Sequence, residues 1–169
     1  MQSAHVKIAV SACLLGDAVR YDGKDKRCPP VVELGRRFLL VPICPEVELG
    51  MPVPREPIEL RWTEEGLRLL GRESGRDWTD SMGDFARRRI GQLIAEGVGG
   101  FVLKSKSPSC GVEDVATVQR DGTVTASGTG RFADILRTTW PDLPIENETG
   151  IADPVRRQAF LQRLCRRRP

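Results

Sequence analysis

The chain has 169 residues, 40% of them hydrophobic, 5% aromatic and 29% charged, with a formal net charge of +3. That length suits one compact domain with a proper core, and no stretch is long and apolar enough to span a membrane. Setting aside Arg166, Arg167 and Arg168 leaves 23 basic against 23 acidic side chains, so the body is neutral and gives little support to nucleic-acid binding. Residues 166–169 read as a frayed basic tail. The N-terminus has a short apolar run with no basic region before it. It reads as a first strand and not as a signal peptide, which places the protein in the cytoplasm. Five cysteines in that compartment argue against a disulfide framework and towards metal binding or catalysis.

"VKIAVSACL" is an apolar, β-branched run of the kind that makes a buried strand. A Gly-, Asp- and Lys-rich loop follows. "PPVVELGRR" starts a helix on its prolines. "FLLVPIC" is the second strand. Prolines 42, 45, 52, 54 and 57 then make a stiff, extended segment that excludes helix. "RWTEEGLRLLGRESGRDWT" reads as a hairpin or a short helix. "TDSMGDFARRRIGQLIAEG" is the clearest helix, capped by Thr79 or Asp80, carrying Phe85, Ile90, Leu93 and Ile94 at helical spacing and ended by Gly97. "VGGFVLKS" is the third strand. "VATVQRDGTVTASG" is a hairpin or two loop arms about Asp121-Gly122. "GRFADILRTTW" is a helix stopped at Pro141, "PIENETG" a fourth, edge strand, and "DPVRRQAFLQRLCRR" a final helix with Asp153 as cap. Strands alternating with helices predict an α/β fold: one three-layer, Rossmann-like domain over 1–169 with a mainly parallel sheet.

Three cysteines fall at strand ends on this scheme. Cys13 ends the first strand, Cys44 ends the second, and Cys110 lies a few residues after the third. Parallel strands bring such loops to one edge, where ligands bind. Three thiolates suit a soft metal centre. An iron–sulfur cluster normally takes four cysteines, so three would leave one iron open to a substrate. Burial for packing alone explains the three positions equally well. Their settings, "SACLLG", "CPEVELG" and "SPSCG", tilt the balance, because glycine lets backbone approach a bulky group. Glu46 beside Cys44 is a candidate acid or base, or an ordinary surface carboxylate. Ser107 and Ser109 flank Pro108 as site residues or as turn formers. Cys28 reads as a loop thiol and Cys165 as a packing or exposed residue. His5 is the sole histidine, which makes a histidine-based zinc site or a Ser-His-Asp triad hard to build.

"SACLLGDAVRYDGKDK", "CPEVELGMPVPREPIEL" and "LKSKSPSCG", in that order, resemble the signature blocks of a bacterial family once labelled a domain of unknown function and now associated with thiouracil desulfidase. The resemblance implies a [4Fe-4S] cluster held by Cys13, Cys44 and Cys110, with the fourth iron open. It implies catalytic roles for Glu46 and Ser107, and a thiolated uracil, base or nucleoside, as the small-molecule substrate whose thiocarbonyl becomes carbonyl. Arg20, Tyr21, Asp22, Lys104 and Ser109 are the expected substrate-binding residues, with Lys106 beside them; an ordinary charged loop explains the two lysines and the 20–22 segment equally well. Where many relatives have a pair of glycines after "CPEV", this chain has "ELG", so Glu48 either adds a second carboxylate to the site or points to solvent. Two other readings stand beside this one: a cysteine-based redox or metal sensor without turnover, and an accessory RNA-binding module using the basic tail. The oligomeric state is open.

Overall fold

A computed structural model describes residues 6–166. His5 and residues 167–169 of the basic tail lie outside the described residues; Arg166 is the last residue of the final helix and not part of a frayed end. The central sheet is parallel, with strands β1 (Lys7–Ser11), β2 (Leu39–Ile43), β5 (Val98–Leu103) and β8 (Ile145–Asn147) in the order β2-β1-β5-β8. β1 and β5 sit at the centre and are almost wholly apolar, as a strand covered on both faces must be. Their side chains alternate between two cores, as the period of two requires. Ala9, Phe101 and Leu103 face one core, and Ile8, Val10 and Val102 the other.

Helices cover both faces. α1 (Pro29–Glu33), α5 (Glu148–Ala152) and α6 (Pro154–Arg166) bring Val31, Ile151, Phe160 and Leu164 to one core. α3 (Thr79–Ala95) and α4 (Arg131–Thr139) bring Met82, Ile90, Leu93, Phe132 and Leu136 to the other. Each such fully buried side chain contributes roughly 1.5–3 kcal/mol. Asp153 caps α6 as its sequence predicts, accepting the N–H groups of Val155 and Arg156 at 2.9 Å. α3 departs from expectation. Neither Thr79 nor Asp80 caps it; Asp77 accepts the Thr79 N–H at 2.8 Å, and the Thr79 hydroxyl accepts the Leu69 N–H at 2.8 Å. Gly97 follows the helix with φ +92°, the left-handed conformation that stops it.

The two ambiguous segments are both hairpins: β3 (Ile58–Thr63) with β4 (Gly66–Gly71), and β6 (Val115–Val118) with β7 (Val124–Gly128). They join through parallel pairing of β3 with β6 into a second sheet, β4-β3-β6-β7. That sheet adds Ile58, Leu60, Leu69 and Val115 to the core shared with α3 and α4. The proline-rich segment also departs from expectation. It contains a one-turn helix, α2 (Pro45–Glu48), because Pro45 occupies the first helical position, where its missing N–H costs nothing.

The chain runs from β1 outward to β2, then returns to β5 on the far side of β1. The direction of winding therefore reverses between β1 and β5. In an open α/β sheet the crevice beyond the carboxyl ends at this reversal is where ligands bind.

A cysteine-walled candidate active site

A cavity of about 370 Å³ occupies that crevice. Its walls come from the segments that leave three neighbouring strands. A short 3₁₀ turn after β1 carries Cys13, Cys44 stands at the entry to α2 after β2, and the turn after β5 carries Cys110. All three line the cavity and all are free thiols. Cys28 and Cys165 do not line it. Cys28 is half-buried before α1, and Cys165 is exposed on α6.

The three thiols share one electrostatic environment. Burial pushes Cys13 up to about 11, against the pull of Lys104 and Arg20, with Cys44 pushing it further. Burial raises Cys44 too, while the N–H groups of Val47 and Glu46 that open α2 pull it part-way back. Burial raises Cys110 as well; a hydrogen bond from Ser11 opposes the rise, and the nearness of Cys13 and Cys44 adds to it. Thiols raised by burial in this way need a compensating positive charge before they can act as thiolates, and a bound metal centre supplies one. Among the described residues, no three His, Cys, Asp or Glu side chains converge on a single-ion site. Three thiols on the wall of one cavity suit an iron–sulfur cluster. The donor set therefore fits an iron–sulfur cluster with one iron lacking a protein ligand.

Glu46 lies in the first turn of α2 and lines the same cavity. Its side chain is 14% exposed. Oε2 accepts from Arg55 Nε at 2.7 Å and Oε1 accepts from the Ser109 hydroxyl at 2.8 Å. Each carboxylate oxygen keeps a second lone-pair site for the cavity. Ser109 is thus tied to Glu46, and it is buried. Ser107 lines the cavity, and its oxygen accepts the N–H groups of Ser109 at 3.2 Å and Cys110 at 3.1 Å. A hydroxyl that accepts twice still has its own proton to donate.

Of the expected substrate-binding residues, Arg20, Tyr21, Lys104 and Ser109 line the cavity. Asp22 is not among the lining residues; it pairs with Arg20 at 3.3 Å, and Arg20 in turn lies over the Tyr21 ring at 5.4 Å. Lys104 donates to Glu148 at 2.6 Å, and Glu148 also accepts the Ser105 N–H at 2.8 Å. Burial opposes ionisation of Glu148, but the bonds from Lys104 and Ser105 outweigh it and hold its carboxyl below the usual value. Glu48 points away from the cavity. It accepts the Cys44 N–H at 3.0 Å and pairs with Arg89 of α3 at 2.9 Å, which closes the question of a second carboxylate.

Sequence reasoning missed Arg55, Glu148 and Ser11. Arg55 sits in "PVPREP", which reads only as stiff loop, and Glu148 follows the edge strand. Ser11 ends β1 with its side chain buried, and its oxygen accepts the Lys104 N–H at 2.9 Å. A polar residue closing an apolar strand one step before "AC" was the available signal.

Two glycines let the 104–111 turn close. A Cβ on Gly130 would sit 2.6 Å from the Ser109 carbonyl and 2.8 Å from the Ser107 carbonyl oxygen; one on Gly111 would meet Val115 and the Ser107 backbone. Gly130→Ala is therefore expected to cost about 1–3 kcal/mol in a urea titration. It should lower turnover as well, by displacing Ser109 from Glu46. Gly91→Ala, in α3 with nothing within 4 Å of the added methyl, should be neutral or stabilising. Equal behaviour of the two variants would detach Gly130 from the site.

Three thiols, a fixed carboxylate and several cations thus line one cavity at the winding reversal of a parallel sheet in an α/β protein. Comparison with known proteins gives the family. Residues 8–148 match the 2-thiouracil desulfurase family, and the chain belongs to it. It is 34% identical to a solved structure described as the [4Fe-4S]-dependent thiouracil desulfidase TudS, superposing with a TM-score of 0.74 over 93% of this chain and 99% of that one. It is 32% identical over 109 residues to the uncharacterized protein YbbK of Bacillus subtilis (strain 168), covering 62% of this chain and 72% of that protein.

Proposed function

We propose that the protein is a [4Fe-4S]-dependent desulfidase that converts the thiocarbonyl of thiouracil, or of a related thiolated pyrimidine base or nucleoside, to a carbonyl with release of sulfide. The observation that carries this reading is the convergence of Cys13, Cys44, Cys110 and Glu46 on one cavity in a chain of this family. Cys13, Cys44 and Cys110 would hold the cluster. When bound, such a cluster offers one iron without a protein ligand, a soft Lewis acid suited to sulfur.

The net reaction adds water and releases hydrogen sulfide, with no change in electron count. Adding water to the ring carbon requires a base, and the departing sulfur requires a proton. Glu46, pinned by Arg55 and Ser109 and open to the cavity, takes the proton from water and returns one to the leaving group. Ser107 donates a hydrogen bond from its hydroxyl to the substrate and keeps its proton. Tyr21 supplies a ring against which the pyrimidine stacks, backed by Arg20. Lys104, held by Glu148, keeps a positive charge at the cavity wall near Cys13. The chain acts as one domain in the cytoplasm, where thiols stay reduced. Among the described residues, no helix is long and apolar enough to cross a membrane.

The test is chemical. Protein reconstituted without air is expected to carry about four irons and four acid-labile sulfides per chain, and to release sulfide from 2- or 4-thiouracil as uracil forms. An iron-free protein with reversible thiol oxidation and no sulfide release would favour the sensor reading instead.

A further inference from the structure

Arg55 is buried beside Glu46 with all three guanidinium nitrogens hydrogen-bonded. Its side chain is only 6% exposed. Every nitrogen of its guanidinium is used: Nε donates to Glu46 at 2.7 Å, Nη1 to the Pro52 carbonyl at 3.2 Å and Nη2 to the Val19 carbonyl at 2.9 Å. Its backbone N–H donates to the Tyr21 carbonyl at 2.9 Å. One residue therefore grips both ends of the 19–21 segment, which forms the cavity wall bearing Arg20 and Tyr21, while also aligning the carboxylate opposite.

We propose that Arg55 is a positioning residue that locks Glu46 and the Val19–Tyr21 wall into one rigid unit, so that the acid–base group and the surface receiving the substrate ring keep a fixed separation. The planar fork of arginine is what allows this. It presents donors in three directions from a preorganised frame, whereas a lysine ammonium keeps the charge but is a compact point on a flexible stem. The Val19 carbonyl makes the coupling tighter, because it also lies 4.0 Å from the Cys44 sulfur. Arg55 thus meets the carboxylate, the wall and the surroundings of one candidate ligand through a single group. The consequence for turnover rests on the desulfidase reading; the mechanical coupling does not.

Arg55→Lys in the reconstituted protein separates these roles, because it preserves charge and removes the fork. Its iron content should equal that of the parent. Its kcat should fall about 10²-fold, the scale of a misplaced catalytic group, with a smaller rise in KM. Hydrogen exchange of the peptide covering residues 19–24 should speed up on the order of tenfold, with exchange in α3 unchanged. In Arg55→Ala, added methylguanidinium should restore part of the lost kcat in a saturable way. Parent-level kcat in Arg55→Lys, or unchanged exchange over 19–24, would overturn the proposal. Should Arg55→Lys fail to fold, parent-level turnover or exchange in Arg55→Ala does the same. Should the parent release no sulfide from any thiouracil, the desulfidase reading fails and the exchange measurement alone decides the role of Arg55.

Discussion

Serine in place of Cys13, Cys44 or Cys110 is expected to abolish cluster retention in each case. Reconstituted without air, the parent should hold about four irons per chain and each of these variants close to none. The reason is ligand chemistry more than packing. A hydroxyl is a harder and far less acidic donor than a thiol. With two thiolates left, a second iron would lose its protein ligand. The three substitutions should be equivalent although burial differs: Cys13 and Cys110 are buried and Cys44 half-buried. Cys165→Ser, on the exposed face of α6, should retain the full complement. The same iron content in all four variants would place the ligands elsewhere. A visible spectrum on each sample distinguishes an intact cluster from loosely bound iron.

Glu46→Gln should leave iron binding intact and lower turnover by roughly 10²–10⁴-fold, the usual worth of a positioned acid–base group. Glutamine matches glutamate in shape but has one carbonyl oxygen for two fixed donors, Arg55 and Ser109. One of those donors therefore loses its acceptor, which adds a stability cost of about 1–3 kcal/mol. Iron content and a urea midpoint measured together separate that cost from the chemical loss. Full activity in this variant would remove Glu46 from the mechanism. Glu48→Gln is the natural comparison, since Glu48 faces Arg89 and the Cys44 backbone and not the cavity.

The parts of this site that could be read from sequence are those encoded by local pattern. Apolar β-branched runs mark β1, β2 and β5, and each candidate ligand follows one of them, so the parallel sheet predicts their meeting. Glu46 is legible because it adjoins Cys44. Arg55 is not, because its importance lies in reaching Val19 and Glu46 across a fold that proline-rich sequence does not reveal. The same limit explains the hairpins. Each is a local pairing with local turn signals, whereas the parallel pairing of β3 with β6 joins residues far apart in the chain. It also explains the serines. Both line the cavity, but only the fold shows that Ser109 reaches Glu46 while Ser107 ties down the backbone of the turn. Helix α2 escapes a sequence reading for a different reason: proline breaks a helix interior but starts a helix at its first position, which Pro45 occupies.

β2, β1 and β5 are hydrogen-bonded neighbours, and adjacent strands in any sheet stand roughly 4.8 Å apart. The three segments that carry the thiols therefore leave the sheet side by side, whatever the length of chain between them. That makes the site tolerant of inheritance by insertion. A longer β3–β4 turn, for example, would lengthen the path from Cys44 to Cys110 while leaving the β2-β1-β5 order intact. A centre assembled across a hydrogen-bond ladder depends on strand order more than on one Cys-to-Cys spacing, which leaves the connecting loops free to diversify.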